Sequence, residues 1–126
     1  MGNGIAFDAG VRVSEQLYVR GLIGGTDAGD VGIVSHRGGI ELRRAARLGV
    51  YWLAGIDLGY LRIEDNCEQS CAPDTAAIAL VPRAALELGG AFRFRVATEL
   101  TTAVWRSRPA GPSAHAGITF GGVLAF

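Results

Sequence analysis

The 126-residue chain contains no lysine, only two cysteines and four prolines, and carries no net formal charge. Each shortage removes a class of protein. Twelve arginines balance twelve carboxylates, so no overall field draws in nucleic acid, which is not an expected partner. Two cysteines cannot frame a disulfide-rich scaffold. No apolar run approaches the ~18–20 residues that a membrane-spanning helix needs. Nineteen glycines also argue against a helical architecture, because each interior glycine costs a helix about 1 kcal/mol. Yet 49% of the residues are hydrophobic and only 19% charged, which is apolar for a soluble domain of this size. Strict alternation reconciles abundant apolar residues with the absence of long apolar runs. The exclusive use of arginine has two readings, a GC-rich genome or a demand for the planar fork that suits buried ion pairs, and both stay open.

Alternation is present throughout. Side chains on a strand repeat with period two, so alternate residues mark opposite faces of a sheet. The segment Gly4–Ser14 sets Ile5, Phe7, Ala9, Val11 and Val13 against Ala6, Asp8, Gly10 and Arg12. Leu17–Gly24 sets Leu17, Val19 and Ile23 against Tyr18 and Arg20. Val31–Arg44 is less regular, with Val34, Ile40 and Leu42 opposing Ser35, Arg37, Glu41 and Arg43, and His36 on the apolar side. Gly49–Ile63 places Val50, Trp52, Ala54, Ile56, Leu58 and Tyr60 on one face. Ile78–Leu88 opposes Ile78, Leu80, Pro82, Leu86 and Leu88 to Val81, Arg83, Ala85 and Glu87. Phe92–Val104 opposes Phe92, Phe94 and Val96 to Arg93, Arg95, Ala97 and Glu99. The last segment, His115–Phe126, shares Ile118, Phe120, Gly122, Leu124 and Phe126 on one face.

The connections also alternate. Tight turns are predicted at Glu15-Gln16, Ala45-Ala46-Arg47 and Gly89-Gly90, and polar loops at Thr26–Asp30, Glu64–Asp74 and Arg106–Ser113. Short turns at one rim and longer loops at the other describe an up-and-down barrel of the membrane type. Most segments reach the ~9–11 residues that cross a bilayer at a tilt.

Orientation decides the function. A soluble barrel turns its apolar face inward, whereas a membrane barrel turns it to lipid and lines its lumen with polar groups. The second arrangement is predicted here. Trp52 and Tyr60 stand eight residues apart on the apolar face, roughly 26 Å along a strand and about 20 Å of membrane normal at a tilt of ~40°. The polar face mixes glycine and alanine with charges of both signs, as a narrow lumen filled by long side chains requires. The predicted lumen network comprises Asp8, Arg12, Arg20, Glu41, Arg43, Asp57, Arg83, Glu87, Arg93, Arg95 and Glu99, with Arg37 on the same face. The predicted lipid-facing set comprises Phe7, Val50, Trp52, Ile56, Leu58, Tyr60, Leu86, Phe92, Phe94, Ile118, Phe120, Leu124 and Phe126.

The closing strand, with its terminal Phe126 and alternating Leu124, Phe120 and Ile118, resembles the C-terminal strand of outer-membrane β-barrels. Over its whole length the chain resembles the small barrels of the OmpA, OmpX and opacity-protein type. The resemblance implies an all-β, up-and-down antiparallel transmembrane barrel of eight strands in the bacterial outer membrane, with seven strands visible here. It implies membrane lipid as the surroundings and the barrel-assembly machinery, engaged through the Phe126 strand, as a partner. The expectation is that a first strand and an export signal lie upstream, since Met1-Gly-Asn-Gly leads directly into an alternating segment.

Chemical sites are sparse. Cys67 and Cys71 lie in one polar loop and are candidates for a disulfide in an oxidising compartment. Ser35 and His36 adjoin but face opposite sides of a strand, which bars a nucleophile–base pair. No catalytic centre, cofactor, metal or small-molecule substrate is expected. The function expected is that of an integral barrel with a structural or surface-exposed role. Two alternatives remain: a soluble lipocalin-like barrel with Phe7, Trp52, Phe94 and Phe120 around a hydrophobic ligand, and a narrow porin-like channel.

Overall fold

A computed structural model describes residues 3–28, 31–65, 75–107 and 114–124. Seven strands follow in chain order: β1 Asn3–Arg12, β2 Leu17–Ala28, β3 Val31–Arg47, β4 Val50–Asp65, β5 Thr75–Gly89, β6 Phe92–Arg106 and β7 Ala114–Leu124. They form one antiparallel sheet in which each strand pairs with its sequence neighbours, from β1 at one edge to β7 at the other. The chain is therefore all-β and up-and-down, in the form of a curled half-barrel. Cys67, Cys71 and Phe126 lie outside the described residues.

The curl is set by side chains that reach across the sheet. β1 and β6 are five strands apart, about 24 Å if the sheet were flat at ~4.8 Å per strand. Arg95 of β6 nevertheless meets Asp8 of β1 at 3.2 Å. The face that carries the charges is thus concave, and the face that carries the large apolar side chains is convex.

Several strands run further than their sequence patterns predict. Thr26 and Asp27, read as loop, continue β2 and pair with Gly4 and Asn3 on one side and with Ile33 and Gly32 on the other. Glu64 and Asp65, also read as loop, extend β4 opposite Gly32 and Val31. Asp has poor strand propensity, but pairing the backbone outweighs the modest preference of a side chain.

Two irregularities change which way residues face. In β3 the register shifts between Ala45 and Arg47, so that Ala45 opposes Tyr51 and Arg47 opposes Val50. The predicted turn Ala45-Ala46-Arg47 is instead a bulged strand end, and the turn itself is Leu48-Gly49. In β6, Ala79 opposes Ala103 but Ile78 opposes Trp105, leaving Val104 as the extra residue. A bulge inserts one residue into one strand and reverses the facing of everything beyond it.

The short-turn rim is held by a few well-defined bonds. The Val13 and Ser14 amides both donate to the Leu17 carbonyl, at 2.8 and 3.2 Å, and the Gly89 amide donates to the Gly49 carbonyl at 2.8 Å. Gly89 has φ of +131°, and a Cβ there would run into the Phe92 carbonyl. Its neighbour Gly90 has open space around it. Gly89→Ala is expected to cost about 1–3 kcal/mol of stability while Gly90→Ala is near neutral. Urea unfolding of the two variants measures the difference.

Candidate functional site

The concave face gathers charge because of register as well as alternation. Arg83 stands directly opposite Glu99, and Glu87 directly opposite Arg95. Glu87 and Arg95 pair across these neighbouring strands, whereas Arg83 and Glu99 each bond a residue of β3 instead. Three groups result, the first two of them linked.

The first lies near the short-turn rim. Glu87 is fully buried and accepts from Arg95 Nε at 2.9 Å and Arg93 Nη1 at 3.4 Å, with Arg43 bonded to the same carboxylate. Tyr51 lies between two of these guanidiniums, 4.8 Å from Arg43 and 4.2 Å from Arg93, and Tyr18 is 5.6 Å from Arg43. Aromatic faces attract such cations, most strongly where water is excluded. Below them Leu53, Ala85 and Ala97 form a small buried apolar cluster against Tyr51.

The second group fills the middle. Arg20 lies 3.1 Å from Asp8, 3.4 Å from Glu41 and 3.7 Å from Asp57. Arg83 bonds Glu41 and stands 4.0 Å from Asp57. Asp57 is 1% exposed and is held by charge at longer range rather than by direct hydrogen bonds. Arg95 ties the first group to the second through Asp8 at 3.2 Å and Glu41 at 3.8 Å.

The third is a single pair spanning β3 and β6. Arg37 donates twice to Glu99, at 3.0 and 3.2 Å, in the two-pronged geometry a guanidinium favours. The stem of Arg37 crosses Gly59, where a Cβ would lie 2.6 Å from Arg37 Cγ. A side chain at 59 would push the pair apart.

Nine of the eleven residues read as a lumen network therefore form one connected set, and Glu99 stands apart from it, paired with Arg37. Arg12 joins neither. It is exposed at the end of the edge strand and donates from Nε to the Ser14 carbonyl at 3.1 Å. It shares the alternation of Asp8, but the sheet does not curl over that corner. Tyr18 and Tyr51 share the charged face by alternation, and the guanidiniums of Arg43 and Arg93 lie against their rings. Ser35 Oγ donates to the Gly24 carbonyl at 3.4 Å from the concave side, while His36 is exposed on the convex side.

The apolar side chains occupy the convex face. Phe7 is 77% exposed, Phe120 70% and Trp52 41%. Ile56, Leu58, Tyr60, Leu86, Phe92, Phe94, Ile118 and Leu124 are also exposed, and Val50 is half-buried. Phe7, Trp52, Phe94 and Phe120, the four rings that a lipocalin-like cavity would need inside, all lie here. Aromatics concentrate in two bands. Phe92, Phe94 and Trp52 lie toward the short-turn rim. Toward the other rim, Tyr60 opposes Ile78, which opposes Trp105. Strict alternation from Phe92 would turn Trp105 inward; the Val104 bulge turns it out. No run of residue types in the sequence signals that bulge.

No family model, no curated protein and no solved structure matches this chain, so the reading of the site rests on its geometry.

Removing the negative charge at the centre of the first group isolates its effect. Glu87→Gln leaves Arg43, Arg93 and Arg95 around a neutral amide, and breaking buried ion pairs in this way costs about 3–5 kcal/mol. A thermal or urea melt is expected to show the loss, and an unchanged midpoint would remove Glu87 from any structural role.

Proposed function

We propose that this protein is an integral β-barrel of the bacterial outer membrane, with a structural or surface-exposed role and an interior closed by its own ion pairs. One observation supports the reading most strongly. Along β5 the inward Ala77, Ala79, Val81, Arg83, Ala85 and Glu87 are buried, while the outward Ile78, Leu80, Pro82, Leu86 and Leu88 are exposed. In water this leaves a wide apolar belt uncovered, far beyond the few hundred Å² that soluble monomers normally expose. In a bilayer the same belt meets hydrocarbon, and the charges are satisfied inside. The aromatic bands near the two strand ends fit the girdles of such a barrel.

The interior argues for a plug rather than a channel. Barrels of about eight strands are filled by side chains. Here Glu87 and its three arginines, flanked by Tyr51 and Tyr18, occupy the section near the short-turn rim. A structural role is preferred to a porin-like one for that reason.

Closure to eight strands belongs to the same proposal. β1 and β7 run in the same direction, since Asn3 pairs with Asp27 and Leu124 with Phe92, placing both strand ends at the short-turn rim. One strand running the opposite way between them would be antiparallel to both and would satisfy two open edges, which hydrocarbon does not tolerate. Several inward residues flanking that position are small: Ala6 and Gly10 on either side of Asp8 on β1, and Gly117, Thr119 and Gly121 between His115 and Val123 on β7. They leave room for large inward side chains on the closing strand. Six guanidiniums (Arg20, Arg37, Arg43, Arg83, Arg93, Arg95) face five carboxylates (Asp8, Glu41, Asp57, Glu87, Glu99), so an inward carboxylate there would balance the set.

Fractionation tests the reading directly. The protein is expected in the envelope, extractable only with detergent and migrating differently on gels before and after heating; a detergent-free soluble monomer would overturn it. At single-residue level, Ile56→Arg or Leu86→Arg is expected to cost about 2–4 kcal/mol through exposure to mid-bilayer lipid, read as a lowered urea midpoint in refolded vesicles.

A further inference from the structure

Every arginine of the concave network is ion-paired, but two arginines on the convex side are not. Arg44 and Arg47 are exposed and make no ion pair with any described residue. Arg44 is the cross-strand partner of Trp52, and the β3 bulge sets Arg47 opposite Val50. Both partners belong to the convex face, so both arginines stand on it, beside the aromatic band and at the short-turn rim. Strict alternation would turn Arg47 inward with Arg43 and Ala45; the bulge puts it beside Arg44. Arg12 and Glu15 are the other exposed charges in the first turn at this rim, and neither pairs with Arg44 or Arg47. Across the sheet, at the opposite rim, Arg62 is ion-paired with Glu64 at 3.2 Å.

We infer that Arg44 and Arg47, with Trp52 beneath them, form a site for the phosphate headgroups of anionic phospholipids in the leaflet that surrounds the short-turn rim. The inference rests on the membrane reading above and adds a lipid class and a place. Two unpaired guanidiniums cannot lie in hydrocarbon without an anion, and their long stems allow them to reach the headgroup level. A guanidinium matches a phosphate with two parallel hydrogen bonds. Tryptophan is enriched at the same depth, so Trp52 sits where the acyl chains of a bound lipid begin. Zwitterionic lipid offers the same phosphate together with a cation that opposes both arginines. The site therefore discriminates by net headgroup charge.

The two tryptophans, one near each rim, make the test internal. Trp105→Phe leaves Trp52 as the sole reporter, and Trp52→Phe leaves Trp105. Each protein is refolded into vesicles of phosphatidylcholine and phosphatidylglycerol in which one or the other carries brominated, quenching chains. At low salt, the Trp52 reporter is expected to show a preference for phosphatidylglycerol of about fivefold per arginine, falling as salt is raised. Arg44→Gln with Arg47→Gln is expected to bring the preference close to one, and Arg44→Lys with Arg47→Lys to preserve most of it. The Trp105 reporter is expected to show no preference. Equal quenching of Trp52 by both lipids would overturn the headgroup site while leaving the membrane reading intact. A Trp52 preference that survives the double glutamine variant would also overturn it. Absence of quenching at both tryptophans would sink the membrane reading and the site with it.

Discussion

Six guanidiniums and five carboxylates on one concave face hold each other's charge, and the sheet's shape depends on them. The curl brings β1 to β6 because Asp8 and Arg95 meet, and β3 to β6 because Arg37 and Glu99 meet. Among the described residues no comparable apolar core exists: the buried hydrophobic residues are few and mostly small, with Leu53, Ala85 and Ala97 the main cluster. Removing one partner from such a network strands the others in a region of low dielectric. The same groups that would be costly singly are therefore tolerable only together. Their mutual dependence also explains why glycine recurs on this face, since a long guanidinium stem needs a bare backbone to cross, as Arg37 does at Gly59.

Placing the charges inside leaves the other face apolar, and that exchange drives the functional reading. A soluble sheet would hide Phe7, Trp52, Leu86 and Phe120 and expose Arg83 and Glu87; this one does the reverse. On the proposed reading, the surroundings that would stabilise such an arrangement are hydrocarbon at mid-strand and headgroups at the rims. The two aromatic bands, together with Arg44 and Arg47, which pair with no described residue, fall where those two environments would meet. The open edges of β1 and β7 belong to the same logic, because hydrocarbon offers no partner for a backbone amide or carbonyl.

Much of this was legible from residue order. Seven alternating segments became seven strands, and the facing of nearly every large apolar or charged side chain followed from period two. The strand ends were less legible: Thr26, Asp27, Glu64 and Asp65 look like loop residues, yet β1 and β3 draw in the first two and β3 alone draws in the last two. Arg12 shared the alternation of the network without joining it, because membership depends on curvature at an edge. Cys67, Cys71 and Phe126 lie beyond what the described residues address.

The sequence alone determined the seven described strands, their up-and-down order, and the split between an apolar and a charged face, because a side-chain period of two is a local property of extended backbone. Tertiary structure decided which charges pair, since Arg37 with Glu99 and Asp8 with Arg95 depend on how far the sheet curls. It also decided the facing of Trp105 and Arg47. Each lies just past a single inserted residue, and a bulge arises from how two strands are forced to register, which neither strand encodes by itself.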